Sequence, residues 1–308
     1  MKIIYDIDAQ VSKSPRAIAL GFFDGVHKGH MAVLQAAVSH EKEGLLPSAF
    51  TFVFNDKSRP FKKQKSLAVQ TVNERSECME NMGIKEVLCP DFTSFMDLSA
   101  EEFAVDIMIN KYNAKVICCG EDFHFGKGAK ATAKDLYDIC KKHNITLEIV
   151  PEVLFDGEPI SSTRIRQAVA DADIQLANNL LGRFYSFTSL VIHGRKLGRT
   201  LGFPTINQRF PQGHTIPKFG VYATIITLEN GEKYVGTTDV GIKPTVGSDE
   251  ILAETFILDF DKDVYGQNVK VEFVKFLREE KKFGDLDELS AMIKKNSSQA
   301  YELCSKLI

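Results

Sequence analysis

The sequence predicts two architectures in one chain: a doubly wound α/β domain, then a small antiparallel β-barrel with a helical tail. Three observations carry that prediction. The chain has 308 residues, more than one hydrophobic core usually supports. Up to about residue 150, short apolar runs alternate with helically periodic segments, the pattern of a parallel sheet with crossover helices. After Leu181-Gly182, β-rich runs separated by turn residues take over, and Asn230-Gly231 between the runs 224–228 and 233–237 is a strong hairpin signal.

The first domain should hold strands at 17–22, 49–54, 86–89, 115–119 and 146–150. Between the first two, Met31, Leu34 and Val38 recur at helical spacing, and 102–112 and 132–143 read as further helices. In such a sheet ligands sit beyond the carboxyl ends of the strands. The second domain continues with β runs at 253–260 and 269–276, and a helix follows Asp285, which is placed to cap the Leu286, Leu289, Ile293 face. The boundary falls near Gly182, giving domains 1–182 and 183–308.

With 38 Lys and Arg against 41 Asp and Glu, the formal net charge is -3 and neither sign forms a long run. Neither a nucleic-acid partner nor an anionic membrane is expected. The apolar runs are far shorter than the ~20 residues of a membrane span, and the N-terminus has no signal-peptide pattern, so a cytoplasmic protein is expected. Six cysteines lack any Cys-x-x-Cys spacing and read as buried, reduced thiols.

The first strand runs into Gly21-Phe22-Phe23-Asp24-Gly25-Val26-His27-Lys28-Gly29-His30, with a helix expected to begin at His30. Glycines that permit close backbone approach, free N–H groups at a helix start and two imidazole donors together make a phosphate site. A second segment, Ile160-Ser161-Ser162-Thr163-Arg164-Ile165-Arg166, starts another helix on which Ser162 and Arg166 share a face. Alone, Ser162 reads as an ordinary N-cap; with the histidine loop, the pair would grip a triphosphate from two sides. Transfer at the α-phosphorus to a phosphate nucleophile needs positioning and charge stabilisation, not a strong base. A third segment, Gly120-Glu121-Asp122-Phe123-His124-Phe125-Gly126, follows the strand ending at Cys119 and suits an organic substrate. Gly126-Lys127 is not a P-loop, because its spacing is wrong and Gly128 replaces the hydroxyl residue.

In the second domain, the stretch from His193 to Asn207 combines Gly194, Lys196, Gly198 and Arg199 with the rigid ending Pro204-Thr205-Ile206-Asn207. It reads either as a basic β-turn region or as a polyphosphate site. Thr205 and Asn207, two apart in an extended segment, project from one face and could offer two oxygens to a magnesium ion brought mostly by ATP. Glu254 opens an apolar run and, alone, reads as a solvated acid.

The three N-terminal segments resemble the adenylyltransferase half of the bacterial bifunctional riboflavin kinase/FMN adenylyltransferase (FAD synthetase) family. The C-terminal half resembles its riboflavin kinase domain through Gly198-Arg199-x-Leu201-Gly202-Phe203-Pro204-Thr205-x-Asn207, Gly220-Val221-Tyr222, Lys243-Pro244-Thr245, Glu254 to Gly266 and Leu277-Arg278-x-Glu280-x-x-Phe283. The resemblance implies a Rossmann-like nucleotidyltransferase domain and a six-stranded barrel. It further implies ATP-dependent phosphorylation of riboflavin to FMN, then transfer of AMP from MgATP to FMN to give FAD. Carried onto this chain, ATP in the first half would meet Gly21, Phe23, Asp24, Gly25, His27, Gly29, His30, Ser162, Thr163 and Arg166, with Asp122 and Phe123 at the flavin. In the kinase half, Gly194, Lys196, Gly198, Arg199, Thr205 and Asn207 would meet ATP, Thr205 and Asn207 would hold Mg2+, Glu254 would act as base, and Arg278 would close over the flavin. The chain departs from the family at Phe52-Val53-Phe54-Asn55-Asp56-Lys57-Ser58, where Phe-x-Pro-His-Pro is common, at Asp239 for Asn, and at Lys243 for Arg.

Two rivals follow. One is a riboflavin kinase whose adenylyltransferase half has decayed; the other is a flavin-binding regulator without turnover, which would have no use for a base at Glu254. An aminoacyl-tRNA synthetase-like ligase would need a Lys-Met-Ser-Lys-Ser type segment, and the sequence has none.

Overall fold

The computed structural model describes residues 1–54, 67–194, 198, 202–245 and 248–308, with side chains described throughout except at 243–249. The chain divides into two compact units. The first comprises Met1–Ser66 and Val72–Ser162, the second Leu67–Thr71 and Thr163–Ile308.

The first unit is built on a parallel sheet of six strands: β1 (Lys2–Ile4), β2 (Arg16–Leu20), β3 (Leu46–Phe50), β4 (Glu86–Leu88), β5 (Ala114–Gly120) and β8 (Thr146–Val150). Their spatial order is β1-β4-β3-β2-β5-β8. Two short hairpins, β6 (His124–Phe125) with β7 (Ala131–Thr132) and β9 (Leu154–Phe155) with β10 (Glu158–Pro159), follow β5 and β8. Strand β2 is buried on both faces. Its Ile18 and Leu20 join one core with Phe103, Met108 and Leu136, whereas Ala17 and Ala19 join another with Val33, Leu34 and Met79. That two-sided burial is why the sequence shows a continuous apolar run there and not an alternation. At the other end of β2, buried Arg16 donates from Nε to Glu86 at 2.9 Å and from Nη1 to three main-chain carbonyls, those of Ser12, Ser14 and Tyr112.

Several local expectations need correction. The run 49–54 is a strand only to Phe50, because beyond the sheet edge the chain turns irregular, with Val53 bridging Asp91. Segment Glu102–Lys111 is a π-helix whose end closes through the Tyr112 N–H to the Ile107 carbonyl at 3.0 Å. Helix α1 (Lys28–Ser39) begins before His30, with His27 as its N-cap. Strand β1 and helix α2 (Val72–Asn81) were not anticipated. The interior positions of α2 are Arg75, Ser76 and Met79, so polar residues face inward and no apolar period marks the helix. Helix α3 (Ala133–Lys142) matches the predicted helix and carries a capping box from Thr132 and Asp135.

The second unit is a closed barrel of β11 (Tyr185–Ile192), β12 (Thr205–Arg209), β13 (Gly220–Thr227), β14 (Lys233–Thr245), β15 (Ser248–Ile257) and β16 (Asn268–Arg278), ordered β11-β12-β15-β14-β13-β16 and antiparallel throughout. Thr224, Thr238 and Thr255 link their hydroxyls at 2.9 Å, satisfying one another where all three are buried. The C-terminal helix Leu286–Cys304 is capped by Asp285, as anticipated, and packs Ala300 and Cys304 against Ala223, Ile225 and Val235. Helix α4 (Ser162–Ala170), expected from the second segment, buries Ile165 and Val169, and α5 (Ile174–Leu181), not anticipated, ends at Gly182 in the left-handed region. Among the described residues no helix is long and apolar enough to cross a membrane.

Candidate active sites

In the first unit the strand order reverses between β2 and β5, which pair directly through Ile18–Ile117 and Ala19–Cys118. The loops leaving their carboxyl ends, 21–27 after β2 and 121–123 after β5, therefore flank a topological switch point, where an open α/β sheet leaves a crevice. The β2 loop is tightly wound: Phe23 (φ 54), Gly25 (φ 84) and Val26 (φ 37) all adopt left-handed backbone. For Phe23 and Val26 this costs on the order of 1–3 kcal/mol each, so the surroundings must hold the loop in shape. Burial of both side chains supplies part of the restraint.

The loop delivers His27 to the N-cap of α1, where its Nδ1 accepts from the His30 amide N–H at 3.3 Å. The His27 and His30 rings stack with centroids 3.6 Å apart, and Phe23 meets His30 edge-on at 5.4 Å. With Nδ1 accepting, a neutral His27 carries its proton on Nε2 and remains a donor on that side. A Cβ on Gly29 would come within 3.2 Å of the His27 ring, so glycine there lets the imidazole lie flat against the helix start. Ser162 joins this loop by donating from its hydroxyl to the Asp24 carbonyl at 2.8 Å. The geometry thus collects Gly21, Phe23, Asp24, Gly25, His27, Gly29, His30 and Ser162. Thr163 and Arg166 lie in the second unit, where Arg166 Nη2 donates to the Thr163 hydroxyl at 3.0 Å.

After β5, exposed Asp122 folds its carboxylate back so that a Cβ on Gly120 would lie 2.7 Å from Oδ1. Phe123 is half-buried and stacks on Phe125 with centroids 5.6 Å apart. The sequence reading missed the aromatic cluster along this strand edge. Phe22 stacks on Phe52 at 4.8 Å, Phe52 and Phe54 both meet Phe92 at 5.2 and 5.1 Å, and Phe92 meets Phe95 at 5.4 Å. These rings come from the loops after β2, β3 and β4 and are only partly buried. The departing segment Phe52 to Ser58 supplies two of them; its residues 55–58 lie outside the described residues.

In the second unit, strand register aligns Asn207 on β12 with Glu254 on β15, and Glu254 with Asp239 on β14. Directly opposed residues of an antiparallel ladder point to the same face, so these three side chains form one row. Their chain neighbours Ile206, Thr255 and Thr238 are buried on the opposite, interior face. Asn207 is 4 % exposed, and its Oδ1 has no hydrogen-bond partner among the described residues. A buried amide oxygen left in that condition suits a cation ligand. A Cβ on Gly194 would fall 2.5 Å from the Asn207 amide nitrogen, so the chain passes against this side chain only as glycine. The Gly198 carbonyl accepts from the Phe203 N–H at 2.8 Å. Lys196 and Arg199 lie outside the described residues. At the far end of the row's face, Arg278 lies opposite Val221. Its guanidinium rests over the Phe283 ring at 5.5 Å and, with the Asn296 amide oxygen turned toward it, donates to that oxygen at 3.2 Å from Nε and Nη2.

Two family models divide the chain between them: FAD synthetase matches residues 9–164 and riboflavin kinase matches residues 181–304. The chain belongs to the bifunctional riboflavin kinase/FMN adenylyltransferase family. It is 35% identical over 287 residues to the Haemophilus influenzae bifunctional riboflavin kinase/FMN adenylyltransferase, covering 92% of each chain. Identity to the Escherichia coli K12 member is 33% over 308 residues, covering 98% of this chain and 97% of the relative. A solved structure described as a macrolide-efflux protein from Streptococcus pneumoniae superposes with a TM-score of 0.87 at 32% identity, covering 97% of both chains.

In this member of the bifunctional riboflavin kinase/FMN adenylyltransferase family, Cys89, Cys118, Cys119, Cys140 and Cys304 are buried as expected, whereas Cys78 is only half-buried. Burial pushes the Cys119 thiol up to about 12 and the Cys140 and Cys304 thiols up to about 11, so they stay protonated and unreactive at neutral pH.

Proposed function

We propose that the half up to residue 182 transfers AMP from ATP to FMN and that residues 183–308 phosphorylate riboflavin. The observation that carries this reading is that the histidine loop, Asp122, Phe123 and Ser162 lie within the span matched by the FAD synthetase model, and Asn207, Glu254 and Arg278 within the span matched by the riboflavin kinase model. In the kinase half, Glu254 would take the proton of the riboflavin 5′-hydroxyl as its oxygen attacks the γ-phosphorus and ADP leaves. An alcohol nucleophile benefits from such a base. Support comes from the alignment of Glu254 with Asn207, whose Oδ1 has no hydrogen-bond partner among the described residues. Thr205 and Asn207 would hold Mg2+, which supplies charge stabilisation at the phosphates. Gly194, packed against Asn207, and Gly198 would approach ATP through the main chain, and Arg278, with Asn296 beside it, would meet the flavin.

In the adenylyltransferase half, His27 and His30 would donate to ATP phosphates while an FMN phosphate oxygen attacks the α-phosphorus and pyrophosphate leaves. Ionised phosphate needs no base. The partly exposed rings of Phe22, Phe52, Phe54 and Phe92, tilted against one another, offer an apolar surface suited to an isoalloxazine, and Asp122 and Phe123 would contribute from the loop after β5. FAD, FMN, riboflavin and ATP are thus the expected small-molecule partners, and a cytoplasmic location is part of the same proposal. Product analysis with riboflavin and MgATP, followed by FMN and MgATP, tests both halves. Formation of FMN without FAD would support a decayed first half, and formation of neither would support a flavin-binding protein without turnover.

A further inference from the structure

We propose that Arg75 is a positioning residue for adenylyl transfer, holding the histidine loop in its working shape from beneath. The residue sits on α2 and is 4 % exposed. Burial pushes its pKa down, which a hydrogen bond with Cys89 and the charge of the nearby Asp24 oppose. A buried guanidinium is costly unless its donors are used, and here two of them reach main-chain oxygens of two different loops. Nη1 donates to the Phe22 carbonyl at 2.6 Å and Nη2 to the Phe52 carbonyl at 2.8 Å. The plane also lies against the Phe22 ring, with Cζ 5.0 Å from the centroid.

Phe22 is the residue immediately before the left-handed turn of Phe23, Gly25 and Val26. Its carbonyl accepts a second hydrogen bond from the Thr51 hydroxyl at 2.8 Å, so β2's exit is anchored from both β3 and α2. These two hydrogen bonds and the guanidinium against the ring set the direction in which the chain enters the turn, and the turn sets where His27 and His30 stand. Arg75 achieves this with a planar fork that lysine cannot reproduce, since an ammonium is a single point donor. No part of Arg75 need touch substrate.

The inference rests on the assignment of the histidine loop to adenylyl transfer, and the experiment separates the two. Arg75→Met and Arg75→Lys are made in the full chain. FAD formation from FMN and MgATP is measured as kcat and KM, with riboflavin phosphorylation and thermal unfolding measured on the same samples. Arg75→Met is expected to lower the adenylyl-transfer kcat by about tenfold or more, as slight misplacement of donors does, with KM changed by less than about threefold and phosphorylation unchanged. Arg75→Lys should recover part of the kcat. A wild-type kcat in either variant overturns the proposal, as does a loss in both that merely equals the fraction unfolded. His27→Asn and His30→Ala are run alongside: if both transfer AMP normally, the assignment of the loop fails, whatever Arg75 does.

Discussion

His27 caps the helix on which His30 rides, and the two imidazoles stack 3.6 Å apart at 17°. Removing either is expected to suppress FAD formation by on the order of 10²-fold or more, the scale for losing a donor to a charged transition state. FMN formation should survive. Because His27 is also an N-cap, His27→Ala would cost about 1 kcal/mol of stability besides. His27→Asn restores a capping side chain without an imidazole and should remain inactive in transfer. Wild-type FAD synthesis in both His27→Asn and His30→Ala would remove this loop from the mechanism.

Glu254 stands between Asn207 and Asp239 in the barrel row. Glu254→Gln keeps size and hydrogen bonding but loses basicity, so the riboflavin kinase kcat should fall by roughly 10²- to 10⁴-fold with little change in riboflavin affinity. FAD synthesis from supplied FMN should continue. A normal phosphorylation rate would sink the base assignment, and loss of both activities together would indicate a folding defect.

The barrel depends on more chain than its strands. Asn178 of α5 accepts from the Tyr185 N–H at 2.7 Å and donates to the Phe273 carbonyl at 2.9 Å, and Ile174, Ala177, Leu180 and Leu181 are buried. Each large apolar side chain so buried contributes roughly 1.5–3 kcal/mol. A fragment starting at Thr163 should therefore unfold at markedly higher denaturant than one starting at Phe184. Equal midpoints for the two would mean that α5 adds nothing to the barrel.

His40, at the end of α1, bridges Glu43 at 2.9 Å and Glu148 at 2.8 Å. Burial works to lower its pKa, but the hydrogen bonds and charges of the two carboxylates prevail and raise it. A raised folded-state value contributes stability that is fully present below the ordinary histidine pKa of about 6.5 and is lost as the pH rises through the folded-state value. The stability difference between wild type and His40→Gln, measured by denaturant unfolding from about pH 5.5 to 8.5, should shrink as pH rises. A difference that stays constant with pH would rule out this ion-pair contribution.

The two architectures were legible in the chain because each rests on local periodicity: Ala17 to Leu20 as a continuous apolar run, Asn230-Gly231 as a turn, Asp285 as a cap. The residue types of the sites were legible for the same reason, since Gly25, His27 and His30 occur within one short loop and Thr205 and Asn207 lie on one face of one strand. What escaped was local structure with no apolar signature, above all α2, whose inward positions are Arg75 and Ser76. Long-range relations escaped as well. That Asn207, Glu254 and Asp239 share a row is a matter of register between strands. The meeting of Phe22, Phe52, Phe54 and Phe92 likewise depends on the sheet order β4-β3-β2. Neither leaves a mark on sequence spacing. Strand pairing and the burial of an arginine are settled by the whole fold, because the partners that satisfy them are tens of residues away along the chain and adjacent only after it closes.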